Sequence, residues 1–184
     1  MPTLVVVSGP PGSGKTQLAH AIAHAIGCPA ICRDEIKEGM VHGGGDEFTR
    51  GPRDALTMRT FPLFFEVLRV LLAAGVTVVA EAAFQDERWR LGLNPLTGLA
   101  QLQIIHCTVS DAVARERIAR RLADEPSRAA HADGALLATR EADAPTEAFQ
   151  RISIPAPSIV VDTTDGYAPE LTEILRFIAS GRAE

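Results

Sequence analysis

Eight consecutive residues, Gly9-Pro10-Pro11-Gly12-Ser13-Gly14-Lys15-Thr16, carry the most explicit chemistry in the sequence. They match the spacing G-x-x-x-x-G-K-[ST] in full. In that spacing the glycines let backbone amides turn inward around a β-phosphate, the lysine reaches the β- and γ-phosphates, and the hydroxyl holds Mg²⁺. Lys15 and Lys37 are the only lysines among 18 basic residues, and one of them fills the position that demands lysine. Carboxylates and arginines further along suit transfer of a phosphoryl group. Asp34 and Glu35 follow a short apolar run, where a carboxylate at a strand end can orient an attacking hydroxyl and accept its proton; the plainer role is a helix cap. Adjacent side chains point apart, so one of the two can serve as the base. Glu81 ends a second apolar run, at the place of a Walker-B-like carboxylate that organises Mg²⁺ or of an ordinary strand-end charge. Arg117 and Arg121 stand at i, i+4 on one helix face with Arg120 beside them, and Arg128 follows. Such arginines can stabilise charge on a transferring phosphoryl group, or form a solvated face with Glu116, Asp124 and Glu125.

The elements that must hold these residues follow from hydrophobic spacing. Thr3 to Ser8 reads as a strand, residues 9–14 as a glycine loop, and Lys15 to Ile26 as a helix that Gly27 stops. Pro29 to Arg33 is a second strand. Residues 39–52 are polar and glycine-rich, with Gly43-Gly44-Gly45, and read as a mobile loop before a helix from about Asp54 to Ala74. Val76 to Ala80, Leu102 to Val109 and Ser158 to Val161 are three further strands, the last ending in Asp162. Helices are expected at Ser110 to Ala123, with Ser110 as N-cap, and at Pro169 to Ile178, with Pro169 in the first turn. Alternating strands and helices imply a parallel sheet with right-handed crossovers and helices on both faces. Residues 124–150, polar and alanine-rich, form an excursion from this core within a single domain spanning 1–184.

Composition narrows the function classes. The chain has 184 residues, enough for one core that buries roughly 70% of the unfolded surface. A net charge of -5 supplies no field for a polyanion and argues against nucleic acid or an anionic membrane as partner. The longest near-apolar run, Val70 to Ala80, is far short of a bilayer span, and the N-terminus lacks the features of a secretory signal, so the expected location is the cytoplasm. Cys28, Cys32 and Cys107 are an odd set without C-x-x-C spacing, which fits reduced packing thiols better than disulfides or a zinc site. His20 and His24 lie at i, i+4 without the glutamate of H-E-x-x-H and read as helix-surface residues. Phe61, Phe64, Phe65, Leu68 and Leu72 recur at helical spacing, as a packing face does.

The sequence argues against a Ras-like GTPase switch, because no aspartate has glycine three residues on and the one asparagine, Asn94, precedes proline. The sequence resembles the small P-loop kinases of the zeta-toxin-like and polynucleotide-kinase-like group, which includes chloramphenicol phosphotransferase. The resemblance rests on GPPGSGKT, on Arg33-Asp34-Glu35-Ile36, on TVVAEAAF ending at Phe84, on the arginine-rich helix, and on IPAPSIVVDTTDGY ending at Tyr167. It implies an α/β, three-layer P-loop nucleoside triphosphate hydrolase fold: an adenylate-kinase-like core with a five-stranded parallel sheet of order 2-3-1-4-5 and a helical lid. It further implies ATP and Mg²⁺ as cofactors and Asp34 as the group that takes the acceptor's proton. Glu81 would stand where many relatives have Asp, Arg88 would face the acceptor or its phosphate, and Arg117, Arg121 and Arg128 would close over the phosphates. The expected function is transfer of the γ-phosphate of Mg-ATP to a small-molecule hydroxyl. The alternatives are a 5′-hydroxyl polynucleotide or nucleoside kinase and a toxin-like or non-catalytic nucleotide-binding module.

Overall fold

The computed structural model describes residues 1–44, 55–124 and 149–181. Five strands form one parallel sheet: β1 Thr3–Ser8, β2 Ala30–Cys32, β3 Val78–Ala82, β4 Gln101–Thr108 and β5 Ser158–Asp162. Their order is β2-β3-β1-β4-β5, the order implied by the family resemblance. Parallel strands need crossovers, and here these are helices: α1 Lys15–Ile26, α2 Arg33–Gly44, α3 Ala55–Ala73, α4 Asp86–Leu93 and α5 Asp111–Asp124, with α6 Leu171–Ser180 closing the chain.

Side chains of successive strand residues point to opposite faces, and both faces of β1 are apolar. Leu4 and Val6 pack with Phe64, Phe65, Leu68 and Trp89 of α3 and α4; Val5 and Val7 pack with Leu18 and Ile22 of α1 and Ile174 and Ile178 of α6. The sheet is thus buried between two helical layers. The phenylalanines of α3 lie in the first of these cores, as their spacing predicts, with edge contacts among Phe64, Phe65, Phe84 and Trp89.

Three expectations about elements are corrected. Gly39 to Gly44 belong to α2 rather than to a loop. That helix packs on α3, where buried Lys37 donates to Thr57 Oγ1 at 3.0 Å, so tertiary contact overrides the low helix propensity of glycine. Helix α4, followed by a short 3₁₀ turn at Asn94–Leu96, occupies a stretch to which spacing assigned no element. It is anchored by Trp89, whose indole N–H donates to Ser8 Oγ at 3.0 Å in the core, and by Gly92, on which a Cβ would meet the Phe65 ring. Pro169 precedes α6 instead of lying in its first turn; Glu170 is the N-cap.

Residues 125–148, most of the excursion expected over 124–150 and with it Arg128, lie outside the described residues. The chain re-enters the core at Ile152. It is stapled there to the start of α4, since the Ser153 amide donates to Asp86 Oδ1 at 2.7 Å and the Gln150 amide to Gln85 Oε1 at 2.7 Å.

Candidate active site

The glycine loop connects β1 to α1 along the carboxyl edge of the sheet, where open α/β sheets bind ligands. Gly12 and Gly14 have φ of 81° and 67°, in the left-handed region that glycine enters at least cost. Gly14 is also the N-cap of α1 and offers no side chain to it. The first backbone hydrogen bond of the helix runs from the Leu18 amide to the Gly14 carbonyl. The amides of Lys15, Thr16 and Gln17 therefore have no acceptor within the helix and, with the positive end of its dipole, present an anion site. The loop is packed tightly from behind: a Cβ on Gly12 would lie 2.8 Å from the Ala114 carbonyl oxygen of α5, and one on Gly9 would lie 2.8 Å from the Cys107 carbonyl oxygen of β4.

Glu81 reaches this loop from β3, in register with Val7 of β1 and Cys32 of β2. It is 2% exposed, yet it is a charge partner. Lys15 Nζ lies 3.6 Å from Glu81 Oε1, and Thr16 Oγ1 donates to Glu81 Oε2 at 3.1 Å. Burial pushes the Glu81 carboxyl above the usual carboxylate range; Lys15 and the Thr16 hydroxyl oppose that rise, while Asp34 and Glu35 add to it. The acidic surroundings, after burial itself, also raise the neighbouring Cys32 thiol, and burial raises Cys107 to about 12.

Asp34 stands in the first turn of α2, immediately after β2, where the helix dipole favours a carboxylate. Arg33 Nη1 donates to Asp34 Oδ1 at 2.8 Å and fixes its direction. A cleft of about 400 Å³ opens between α1, α2 and α5. Its floor is Gly12, Gly14, Lys15 and Thr16, one wall carries Asp34, Glu35 and Glu38, and the other carries Arg117, Arg120 and Arg121. Its volume falls in the range of small-ligand pockets. One end of this cleft is cationic and the other anionic.

Of the residues singled out in the sequence, Gly12, Gly14, Lys15, Thr16, Asp34, Arg117 and Arg121 line this one cleft, and Glu81 lies beneath it. Pro10 and Pro11 are half-buried in the loop, Ser13 is buried, and the Ser13 amide donates to the Pro10 carbonyl at 3.2 Å. Arg88 does not join them; it is exposed on α4. Arg117 is already engaged, its guanidinium donating to the Thr163 carbonyl at 2.6 Å and to the Gly12 carbonyl at 3.4 Å.

Thr163 is the residue that sequence reasoning missed. It is buried just beyond β5, its hydroxyl donates to the Ser13 carbonyl at 2.7 Å and lies 3.0 Å from the Thr108 carbonyl, and it thus ties the glycine loop to β4 and, through Arg117, to α5. A threonine directly after a strand-ending aspartate was the only available signal.

The pattern of the AAA_33 family, described as an AAA domain, matches residues 4–151. The chain belongs to the AAA_33 family. The match takes in the glycine loop, Asp34, Glu81 and the cleft arginines Arg117, Arg120 and Arg121 of α5. A search among curated proteins found no match. Among solved structures, the fold is similar to that of a provisionally assigned kinase from Chloroflexus aurantiacus J-10-fl, with 24% identity, a TM-score of 0.81 and 98% of each chain covered. It is also similar to a sugar kinase from Janibacter sp. HTCC2649, with 18% identity, a TM-score of 0.57 and coverage of 98% of this chain and 92% of that one. A gluconokinase from Sinorhizobium meliloti 1021 shows 24% identity and a TM-score of 0.50 over 99% of this chain and 91% of its own. The architecture of this AAA_33 member is therefore a P-loop kinase-like fold, and none of its described helices is long and apolar enough to cross a membrane.

Proposed function

We propose that this chain is a kinase that transfers the γ-phosphate of ATP to a hydroxyl of a small-molecule acceptor, within the zeta-toxin-like and polynucleotide-kinase-like group that its motifs resemble. The observation that carries the reading is the polarity of the cleft: Lys15, Thr16 and the α1 amides at its floor, arginines on one wall, and Asp34 on the other. Phosphoryl transfer requires positioning and charge stabilisation, and these groups supply both. Lys15 and the amides hold the β- and γ-phosphates. Asp34, directed by Arg33, accepts the acceptor's proton as its oxygen bonds to the γ-phosphorus, while the bond from that phosphorus to the β–γ bridging oxygen breaks and ADP leaves. Arg120 and Arg121 face the equatorial oxygens, whose charge grows in the transition state. Arg117 holds the loop and α5 together beneath them.

A divalent ion fits the donor set at the floor. Thr16 Oγ1 and Glu81 Oε2 converge at 3.1 Å, and a hydroxyl beside a buried carboxylate is a hard oxygen donor pair of the kind Mg²⁺ prefers. Thr16 would hold the ion directly and Glu81 directly or through water, and Mg²⁺ bound there neutralises phosphate charge.

The test is incubation with Mg-ATP and a pool of sugars, sugar acids, nucleosides, phenicols, aminoglycosides and short oligonucleotides, read by mass spectrometry for one phosphate gained. Sugars and sugar acids belong in the pool because two proteins of similar fold are named as sugar kinase and gluconokinase. A product formed by the native protein and lost in Asp34→Asn supports the reading. Turnover of a pool member that Asp34→Asn leaves unchanged removes Asp34 from it, and ATP binding without any product across the pool counts against a small hydroxyl acceptor.

A further inference from the structure

At the outer edge of the sheet, three side chains that no phosphoryl-transfer step uses converge from three separate elements. His20 projects from α1, Cys32 ends β2, and Glu35 lies in the first turn of α2. His20 Nε2 is 2.6 Å from Glu35 Oε1 and 3.7 Å from Cys32 Sγ, and one donor atom from each residue lies within 4.8 Å of the other two. We propose that His20, Cys32 and Glu35 form a binding site for one borderline-soft divalent cation of the Zn²⁺ type, with water at the fourth position.

The donor set argues for the class of ion. Imidazole nitrogen, thiolate sulfur and one carboxylate oxygen suit Zn²⁺ and are poor ligands for Mg²⁺, which is already provided for by oxygen donors at Thr16 and Glu81. The geometry agrees. Zinc bonds of about 2.0–2.3 Å in a tetrahedron separate nitrogen from sulfur by about 3.6 Å and nitrogen from oxygen by about 3.4 Å. The first matches the observed 3.7 Å. The second requires the Glu35 oxygen to withdraw from its present hydrogen bond by roughly 0.8 Å, and both His20 and Glu35 are half exposed, at 50% and 48%, so neither is held by packing. Cys32, by contrast, is 1% exposed and fixed by the strand. The open side of the cluster faces solvent through His20 and Glu35, which gives an entry path and room for the fourth ligand.

Charge also favours a cation. Glu35 is next to Asp34, and Cys32 is in register with Glu81, so acidic groups surround the cluster. On binding, Cys32 releases its thiol proton to solvent, and thiolate and carboxylate together balance the dication. Residue spacing favours packing thiols over a cysteine metal site and reads His20 and His24 as helix-surface residues; the convergence of His20, Cys32 and Glu35 exists only in the fold. A bound ion would tie α1 to the start of α2, which carries Asp34.

Cobalt(II) tests this without any knowledge of the acceptor. A thiolate ligand gives a sulfur-to-cobalt charge-transfer band in the near ultraviolet, and tetrahedral geometry gives intense visible bands, whereas Co²⁺ on Thr16 and Glu81 would give neither. The expected result is one equivalent of Co²⁺ per chain with the charge-transfer band, displaced by Zn²⁺. The band should be absent from Cys32→Ser, retained in Cys28→Ser, and shifted to at least about tenfold higher Co²⁺ concentration in His20→Ala, a surface change that leaves the fold intact. No band in the native protein, a band that survives Cys32→Ser, or an unchanged titration in His20→Ala would overturn the proposal.

Discussion

Replacing Gly12 with alanine separates two effects when the same change is made at Gly27. Both residues have left-handed backbones, with φ of 81° and 71°. In that region a Cβ costs about 1–2 kcal/mol, offset in part by the lower entropy of the unfolded alanine chain, about 0.4–1 kcal/mol. Gly27 caps α1 in open space, with nothing within 4 Å of an added Cβ. Gly27→Ala should therefore lose about 1 kcal/mol, or roughly 2–4 °C in melting temperature, and leave nucleotide binding unchanged. At Gly12 the added Cβ would stand 2.8 Å from the Ala114 carbonyl oxygen, 3.0 Å from its Cα and 3.1 Å from its Cβ. That is 0.6 Å short of an ordinary 3.4 Å contact, against helix backbone that has no side-chain freedom to yield. Overpacking of this kind costs a further 1–3 kcal/mol or so. Either the loop or α5 must move, and both carry groups assigned to phosphate in the proposed reaction. Losing one charge-assisted hydrogen bond of about 1.5–3 kcal/mol weakens Mg-ATP binding at least about tenfold. Calorimetric melting and titration of Mg-ATP into both variants measure this. If Gly12→Ala binds Mg-ATP as tightly as Gly27→Ala and melts at the same temperature, the packing of the loop on α5 described here is wrong.

Trp89→Phe removes the donor to Ser8 Oγ in a fully buried site and should cost about 2–4 kcal/mol by circular dichroism melts, with Ser8→Ala non-additive to it by about 1 kcal/mol; full additivity would mean that the bond is not formed. Burial, aided by Arg151, holds the His106 imidazole below its ordinary value. The unfolded chain then takes up this proton first, so His106 withdraws stability as pH falls below about 6.5, and His106→Gln should gain stability relative to the native protein from pH 7 to 5; parallel pH profiles would contradict this. Arg117→Met cuts the ties to the Gly12 and Thr163 carbonyls and should both lower the melting temperature and raise the KM for ATP. An altered KM with an unchanged melting temperature would instead make Arg117 purely a phosphate ligand.

The glycine loop was legible in the sequence because its chemistry is local: eight consecutive residues specify the backbone path, the lysine and the hydroxyl. The sheet was legible for a similar reason, since buried parallel strands are short apolar runs with little alternation. What escaped depended on contacts distant along the chain. Helix α4 has a weak pattern of its own and is fixed by Trp89 on Ser8 and by Gly92 on Phe65, pairings that no local window contains. Gly39, Gly43 and Gly44 signal a loop, and packing of α2 on α3 overrides them. Glu81 was expected just beyond a strand Val76 to Ala80; it lies inside β3, one residue before its end, and its conversion into a buried partner of Lys15 and Thr16 belongs to the β1–β3 register. Arg88 shows the converse, a residue singled out by resemblance that the helix turns to solvent.

In the proposed reaction Asp34 and the floor of the glycine loop act on one phosphoryl group. A single-turnover measurement tests it most directly, with native protein and Asp34→Asn each saturated with Mg-ATP and mixed with the acceptor that gains phosphate in the pooled assay. Asp34→Asn should bind Mg-ATP with native affinity but transfer phosphate at least about a hundredfold more slowly, the contribution of a positioned general base. Transfer at the native rate by Asp34→Asn, or loss of ATP binding in step with activity, would contradict it.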